Sequence, residues 1–421
     1  MSGNAIAGPV QSDEIDAVLE GISASFSPED GPVNVQNFCR ILEYEPLVSL
    51  DYMRVVRVDG HIVAGVIIIP LFLRIGQATL KAAGLTGVAT WRGHRHRGYA
   101  SILMKDVHDF LAGRGFDIVV LNSGATELYL KLGYEMSHQS FSLNLPWENA
   151  VHLVEVADDL AGNFVVRRAT PEDIPRLHEI LFQNPVTPAR RTYFLRTYAR
   201  FYNKFMFYDQ IGNPIWVVEE TATGMIDAYG WENAGGYSEL FSATDDTTHY
   251  RALIHHFVQQ HGGPAAPSQI SLCPLPEHER LIALVKEFGG SFLESPVSAK
   301  MCKLLVIDRV LHEMLPEWEW LIQSRSPPAV NCDFFIAIGP QTFHFIISNG
   351  HIDIIEINPS EEMEAPFQLR PQDLASAILG IAPAEDILEE SDLYRGDPTR
   401  RQILDSMFPA RKPFILSIDD Y

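Results

Sequence analysis

The run Val88-Ala89-Thr90-Trp91-Arg92-Gly93-His94-Arg95-His96-Arg97-Gly98-Tyr99-Ala100 combines the end of a strand, a basic glycine-bearing loop and the start of a helix. No proline interrupts Arg95 to Ala100, so each of these six residues can turn a backbone N–H toward an anion. Gly98 permits close backbone approach, and the helix that follows adds the positive end of its dipole. Between Gly60 and Lys105 there is no acidic residue, while Arg74, Lys81, Arg92, Arg95, Arg97 and Lys105 are basic, in a chain of formal net charge −22. A positive island held against the field of an acidic molecule points to a phosphate-bearing ligand. A solvated, arginine-rich surface turn would carry the same residues, so the loop has to be weighed with the elements around it.

Ile102, Leu103, Val107, Phe110 and Leu111 recur at helical spacing and predict a helix over Ala100–Leu111, stopped by Gly113-Arg114-Gly115. Phe116 to Asn122 is a β-branched run of buried-strand type, and Thr126 to Tyr134 carries L-Y-x-x-x-G-Y on a short helix. Upstream, Ser12 to Leu19 opens a capped amphipathic helix, Tyr52–Val58 and His61–Arg74 form a hairpin about Asp59-Gly60, and the turn Ile75-Gly76-Gln77 leads into the strand toward Val88. The order predicts an α/β (α+β) unit whose sheet splays to admit a ligand and which ends near Pro146.

Taken together, the strand, the R-x-x-G-x-A loop, the helix, the next strand and the L-Y-x-x-x-G-Y helix resemble the core of the GNAT superfamily of acyl-CoA-dependent N-acyltransferases. The resemblance implies that Arg95, His96, Arg97, Gly98, Tyr99 and Ala100 bind the CoA pyrophosphate. It further implies that Val88, Ala89 and Thr90 line the pantetheine arm and that Tyr129 is the acid near the thioester sulfur. Asn122, at the strand end beside this site, reads equally as a cofactor contact or a turn cap. Arg92 departs from the pattern, standing where such loops often carry a proline. His94 and His96 read as solvated loop residues rather than catalysts.

A second opening follows Ala161-Gly162-Asn163: the strand Phe164 to Arg168, then Thr170 as N-cap with Pro171 at the first helical position. It resembles the start of another GNAT unit and suggests an internal duplication. Where a cradle would precede the expected helix Tyr250–His261, residues Leu240 to Thr248 hold no glycine and carry Asp245 and Asp246, which repel a pyrophosphate. This unit is expected to be structural, and the adjacent His255-His256 diverge too far to make a metal pair. From Met301 on, Cys332–Ile338, Thr342–Ser348 and Ile352–Ile357 read as strands and Pro371–Gly380 as a helix, which together resemble a sterol-carrier-protein-like domain. An unrelated small α/β domain fits those residues as well.

This three-part order resembles the enhanced-intracellular-survival (Eis) family: a catalytic GNAT domain (1–146), a degenerate GNAT-like domain (164–300) and a sterol-carrier-protein-like domain (301–421). The resemblance implies acetyl-CoA as acyl donor and a small-molecule or lysine-type primary amine as acceptor, attacking the thioester directly. It also implies a homo-oligomer, with a hexamer as the family's precedent, and a terminal carboxylate, here that of Tyr421 where a phenylalanine is familiar, acting as base. A frayed tail is the default for any C-terminus.

Composition sets outer limits. At 421 residues and 46% apolar content the chain suits two to four domains of roughly 100–200 residues. No leading signal peptide is read, and the longest apolar run, Ile62–Leu73, is broken by Pro70 and falls short of the ~20 residues of a spanning helix. Cys39, Cys273, Cys302 and Cys332 lack metal-type spacing and are expected to be reduced core thiols of a cytoplasmic protein without a metal site. The acidic surface disfavours nucleic acid. Residues 331–421, with 16 Asp and Glu against 6 Lys and Arg, would draw in a cationic amine, although acidity serves solubility equally well. Two rival functions stay open at this point: a catalytically silent acyl-CoA sensor, and a lipid-binding or scaffolding protein acting through its last domain.

Overall fold

In the computed structural model the described residues are 4–26, 31–137, 140–155, 163–183, 192–233, 235–273, 278–295, 300–325, 331–358, 367–388, 394 and 396–411. The chain begins with β1 (Ala5–Pro9), α1 (Ile15–Phe26), α2 (Gly31–Tyr44), β2 (Met53–Val58), β3 (His61–Ile75), β4 (Ala78–Thr90), α3 (Tyr99–Gly113), β5 (Ile118–Asn122), α4 (Thr126–Lys131) and β6 (Glu135–Met136). Next come β7 (Ser140–Pro146), α5 (Trp147–Glu155), β8 (Phe164–Arg168), α6 (Ile174–Gln183), β9 (Thr192–Phe194), α7 (Tyr198–Gln210), β10 (Ile215–Glu220), β11 (Ile226–Asn233), β12 (Gly236–Ser242), α8 (Thr247–His261), β13 (Gln269–Leu272), α9 (Glu279–Glu287) and β14 (Ser291–Ser295). The last part holds β15 (Lys300–Leu304), α10 (Ile307–Arg325), β16 (Asn331–Ile338), β17 (Gln341–Ser348), β18 (His351–Ile357), β19 (Phe367–Leu369), α11 (Pro371–Leu379), α12 (Ala384–Leu388) and α13 (Pro398–Met407).

The first sheet runs β1-β2-β3-β4-β5-β15-β6 and the second β8-β10-β11-β12-β13-β7-β14, read from the other edge. Strand directions match position by position. In each sheet the first four strands are antiparallel, the fourth and fifth are parallel (β4 with β5, β12 with β13), and the rest are antiparallel again. Each parallel pair is bridged by one long helix, α3 or α8, as a crossover requires. The duplicated order carries one exchange. Ser140–Pro146, which lies before the expected limit of the first unit, lies between β13 and the edge strand β14 of the second sheet, and Lys300–Leu304 lies between β5 and β6 of the first.

Side chains alternate across the first sheet. Ala83, Leu85, Val119 and Leu121 face α3, whereas Leu80, Ala82, Ile118 and Val120 face α10 and the third sheet. That third sheet, β18-β17-β16-β19, packs Phe334, Phe343 and Phe345 around Trp318 of α10 in one continuous core with the tip of the β3–β4 hairpin. Glu317, fully buried on α10, pins this tip: its carboxylate accepts from Gln77 N at 2.7 Å and from Arg411 Nη2 at 2.5 Å.

Some expected details shift. The helix expected over Ala100–Leu111 runs two residues beyond at the C-terminal end and one at the start. α8 begins at Thr247 rather than Tyr250, because the Asp246 side chain accepts from Thr248 N at 2.9 Å and caps the first turn. Of the cysteines expected in cores, Cys302 is buried, Cys273 and Cys332 are half-buried, and Cys39 is exposed on α2.

The Glu317 seam can be tested at Gly76. A Cβ at this position would lie 1.9 Å from a Glu317 carboxylate oxygen, in a residue whose φ is already +55°. Gly76→Ala is expected to destabilise the protein by about 2–4 kcal/mol, the cost of overpacking against a buried charge. Gly60→Ala, at φ +83° with nothing within 4 Å, is expected to cost about 1 kcal/mol of backbone strain alone. Thermal unfolding of the two variants side by side measures the difference.

Candidate active site

The ladder between β4 and β5 is short. It joins Ala82–Leu85 to Ile118–Leu121, while β4 continues to Thr90 paired only with β3. At the point of separation Gly65 faces Ala89 and Ile67 faces Thr86, so Gly87 and Val88 stand against the single residue Val66. This is a β-bulge, and Gly87 takes the left-handed φ of +66° in it. The bulge turns the rest of β4 away from β5 and opens a cleft of about 560 Å³. Its walls are Leu85, Thr86, Gly87 and Val88 on one side, Asn122, Ser123, Gly124, Ala125 and Tyr129 on the other, with Phe26 and Phe38 from α1 and α2.

Beyond Thr90 the chain forms the loop expected from the sequence. Trp91 anchors its start, donating its backbone N–H to Val63 O at 2.9 Å and packing its ring into the space left by Gly21 and Gly65. His96 (φ +61°) and Gly98 (φ +82°) take left-handed angles on either side of Arg97, turns of the kind that gather successive N–H groups into a concave nest. The N–H groups of Arg95 to Ala100 have no acceptor among the described residues. Gly98 is the N-cap of α3, and a Cβ there would meet nothing within 4 Å. Glycine is therefore required for its backbone angle, not for packing against the protein. Leu103, Met104, Val107 and Leu111 bury α3 against the sheet, and a two-pronged pair from Arg54 to Asp106 (2.7 and 2.8 Å) fixes it to β2.

The structure separates the roles of the loop residues. Arg95 folds its guanidinium back to Thr90 O and Ser25 O, bracing the loop, whereas Arg97 and His96 are exposed. Tyr99 turns its ring into the core. His94 is not solvated as expected: it is half-buried, with Nδ1 enclosed and no partner among the described residues. Of the three strand residues, Val88 lines the cleft; Ala89 faces α1, and Thr90 uses its carbonyl to hold Arg95. Asn122 lines the cleft, and the neighbouring turn is capped instead by Ser123 Oγ, which accepts from Ala125 N at 2.9 Å. Gly87, Phe26 and Phe38 also line the cleft, and no local motif marks them in the sequence. Tyr421 lies outside the described residues.

Tyr129 owes its place to the L-Y-x-x-x-G-Y run. Tyr134 N donates to Tyr129 O and Gly133 N to Leu130 O, the paired bonds of a glycine-terminated helix, and they stack the two tyrosines edge to face at 5.4 Å. Burial pushes the Tyr129 phenol up to about 12, so it stays protonated, and its hydroxyl has no partner among the described residues. Tyr134, fully buried, shares a 2.8 Å hydrogen bond with Nε2 of His108 on α3. Burial, with the charge of Lys303 second, lowers His108 to about 4. In the second sheet the corresponding helix start is occupied by its own Asp246, and Asp245 accepts from Tyr250 Oη at 2.8 Å.

Residues 7–137 match the family model described as an acetyltransferase (GNAT) domain. The chain carries a GNAT acetyltransferase domain. Solved structures extend the likeness to the whole chain. A probable N-acyltransferase from Enterococcus faecalis V583, described as a conserved protein of unknown function, superposes with a TM-score of 0.72 at 15% identity, covering 99% of this chain and 100% of that one. A GCN5-related N-acetyltransferase from Kribbella flavida gives 0.69 at 17%, covering 100% and 99%. Eis1 from Mycobacterium abscessus gives 0.61 at 15%, covering 99% and 100%. At such identities the likeness is one of fold. No curated protein matches in sequence. Among the described residues no helix is long and apolar enough to cross a membrane, and no group of three or more His, Cys, Asp or Glu is placed to hold a metal.

The tie between the GNAT domain's helix and its tyrosine pair is sensitive to acid. The unfolded chain takes up a proton at His108 near the usual 6.5, the native one near 4, so the unfolded state binds more protons between these values. Stability from this histidine is complete above about pH 6.5 and is lost as pH falls toward 4, by up to about 3 kcal/mol. His108→Gln is expected to flatten that part of the stability–pH curve, measured by denaturant unfolding between pH 4 and 7.

Proposed function

We propose that this chain is an acetyl-CoA-dependent N-acetyltransferase that passes an acetyl group to a primary amine by direct attack on the thioester. The observation that carries the reading is the row of N–H groups from Arg95 to Ala100, free of acceptors among the described residues and set beside a cleft that Tyr129 lines. Six amides, a helix N-terminus and the exposed Arg97 fit a diphosphate in charge and geometry. Thr86 to Val88, which have no neighbouring strand on the β5 side, offer backbone groups to an amide-bearing arm lying along β4.

When bound, acetyl-CoA supplies the activated acyl group. Tyr129, held neutral by burial, donates its proton to the sulfur as the carbon–sulfur bond breaks. Backbone N–H groups at the bulge polarise the carbonyl. The base for the amine is the terminal carboxylate of Tyr421 in this reading. Two observations support its reach. Arg411 N donates to Gly380 O at 2.7 Å at the end of α11, and Gln372, near the other end of that helix, lies against Gly133, four residues from Tyr129. Ten residues follow Arg411, enough to span ~33–36 Å when extended, against ~14 Å for the length of α11. The second unit is read as a copy that has lost its cradle to Asp245 and Asp246, and the third as a sterol-carrier-like unit on the strength of its four-stranded sheet and the α11–Gly380 helix end.

Two substitutions separate binding from chemistry. Gly98→Val forces a β-branched residue into a left-handed angle and is expected to weaken acetyl-CoA binding at least tenfold by titration calorimetry. Tyr129→Phe is expected to keep acetyl-CoA affinity while kcat for thiol release falls ~10²–10⁴-fold. Undiminished affinity in the first, or intact turnover in the second, removes the corresponding role.

The role of the terminus is tested by adding two residues after Tyr421. The expected outcome is lower kcat with unchanged acetyl-CoA affinity and unfolding temperature; normal turnover across the pH range would assign the base to a water.

A further inference from the structure

Helix α7 of the second unit spends one whole face on the first unit. Arg200, Asn203, Lys204 and Phe207 recur at the i, i+3, i+4, i+7 spacing of a single stripe, and all four meet the C-terminal end of α2. Arg200 Nη2 and Lys204 Nζ reach the Glu45 carboxylate at 3.3 and 3.5 Å, in a cluster whose side chains are only 5–11% exposed. Asn203 Nδ2 donates to Tyr44 O at 2.8 Å, satisfying a carbonyl that the helix end leaves open. Phe207 packs on Tyr44 at 5.9 Å and under the Arg40 guanidinium at 5.7 Å. Two cations at a helix C-terminus also oppose its dipole favourably.

The other face of α2 reaches the cleft. Val35, Phe38, Ile41 and Leu42 pack with α1 onto the sheet, and Phe38 Cε1 lies 3.2 Å from the point where a Cβ on Gly87 would stand. The two faces of the sheet are therefore divided in use. The cradle helix α3 and Tyr129 share one side, with Leu85 and Leu103 between them, whereas Phe26 and Phe38 enter the cleft from the opposite side. A donor held by α3 leaves the α1–α2 side as the approach for a nucleophile.

We infer that the second unit sets acceptor affinity: its α7 stripe clamps α2 through Glu45 and Tyr44 and so fixes Phe38 as the acceptor-side wall of the cleft. The unit without a cradle thereby holds a positioning role in the first unit's site. Phe38 is the residue placed to touch the acceptor, and an aromatic wall at that point suits an amine carried on an apolar stem. The inference rests on the proposed acetyl transfer.

The test uses the full chain and whichever of phenethylamine, hexylamine, spermidine and kanamycin the wild type acetylates fastest. Asn203→Ala, which removes one hydrogen bond and no charge, is expected to raise the KM for that amine about three- to tenfold, and Glu45→Gln about tenfold or more, with acetyl-CoA affinity unchanged in both. Glu45→Asp, which keeps the charge, should recover part of the loss. Phe38→Leu, made inside the cleft and away from the clamp, is expected to reproduce the rise in amine KM without lowering the unfolding temperature as Glu45→Gln does. Variants that lose thermal stability but keep the wild-type amine KM would overturn the clamp and leave acetyl transfer standing. A wild type that binds acetyl-CoA but acetylates none of the four amines would overturn the proposed transfer and this inference with it.

Discussion

The parallel ladder between β4 and β5 ends after Leu85 and Leu121, and the geometry of the site descends from that ending. A parallel pair buried on both faces ordinarily runs on until a strand stops, because unpaired N–H and C=O groups in a core are costly. Here β4 does not stop. The extra residue at Gly87–Val88 rotates the strand, so its next backbone groups face a cleft instead of a neighbour. The same rotation carries Thr90 outward to where the loop 91–98 can fold back into α3. One inserted residue thus opens the space between the strands and aims the cradle along its rim.

Holding that opening rigid falls to contacts far away in sequence. α1 and α2 press on Gly87 from one side through Ile22 and Phe38, and α2 is fixed by α7 of the second unit. β9 adds to the edge of β3, placing Phe194 opposite Leu73, and two residues later Arg196 enters the second unit's core. There its guanidinium is paired at 2.5 and 3.1 Å with Glu239, which also accepts from Tyr229 Oη. Both members of the ion pair are essentially without solvent contact, so removing one would strand a buried charge at a cost of about 3–5 kcal/mol. With β7 and β15 exchanged between the sheets, neither unit completes its own sheet.

How much of this was legible in the sequence follows from how local each feature is. The cradle was legible because its strand end, glycine and helix start fall within one run of thirteen residues, and the L-Y-x-x-x-G-Y turn because its bonds join residues at most five apart. The capped start of α8 is legible for the same reason, from Asp245 and Asp246. The exchange of Ser140–Pro146 and Lys300–Leu304 was not: both are ordinary short strands, and partner choice depends on contacts more than a hundred residues away. Nor was the bulge, since Gly84 and Gly87 are equally good candidates until the register with β3 is known. The bracing role of the Arg95 guanidinium, on Thr90 O and Ser25 O, is not legible, because composition cannot tell an arginine that meets a ligand from one that also holds its own loop.

The cleft also constrains how protons can move. Among the described residues that line it, Tyr129 is the one titratable side chain, and burial raises its phenol to about 12. A phenol that keeps its proton can donate it but is itself a very weak base, so in the proposed transfer it suits the leaving sulfur and not the attacking amine. An amine of ordinary pKa, about 10, is mostly protonated at neutral pH. In the proposed transfer its deprotonation would therefore fall to water or to a carboxylate brought to the α1–α2 side, apart from Tyr129. In the proposed transfer the cleft between splayed strands would supply that separation, with Tyr129 and α3 on one face of the sheet and Phe26 and Phe38 on the other.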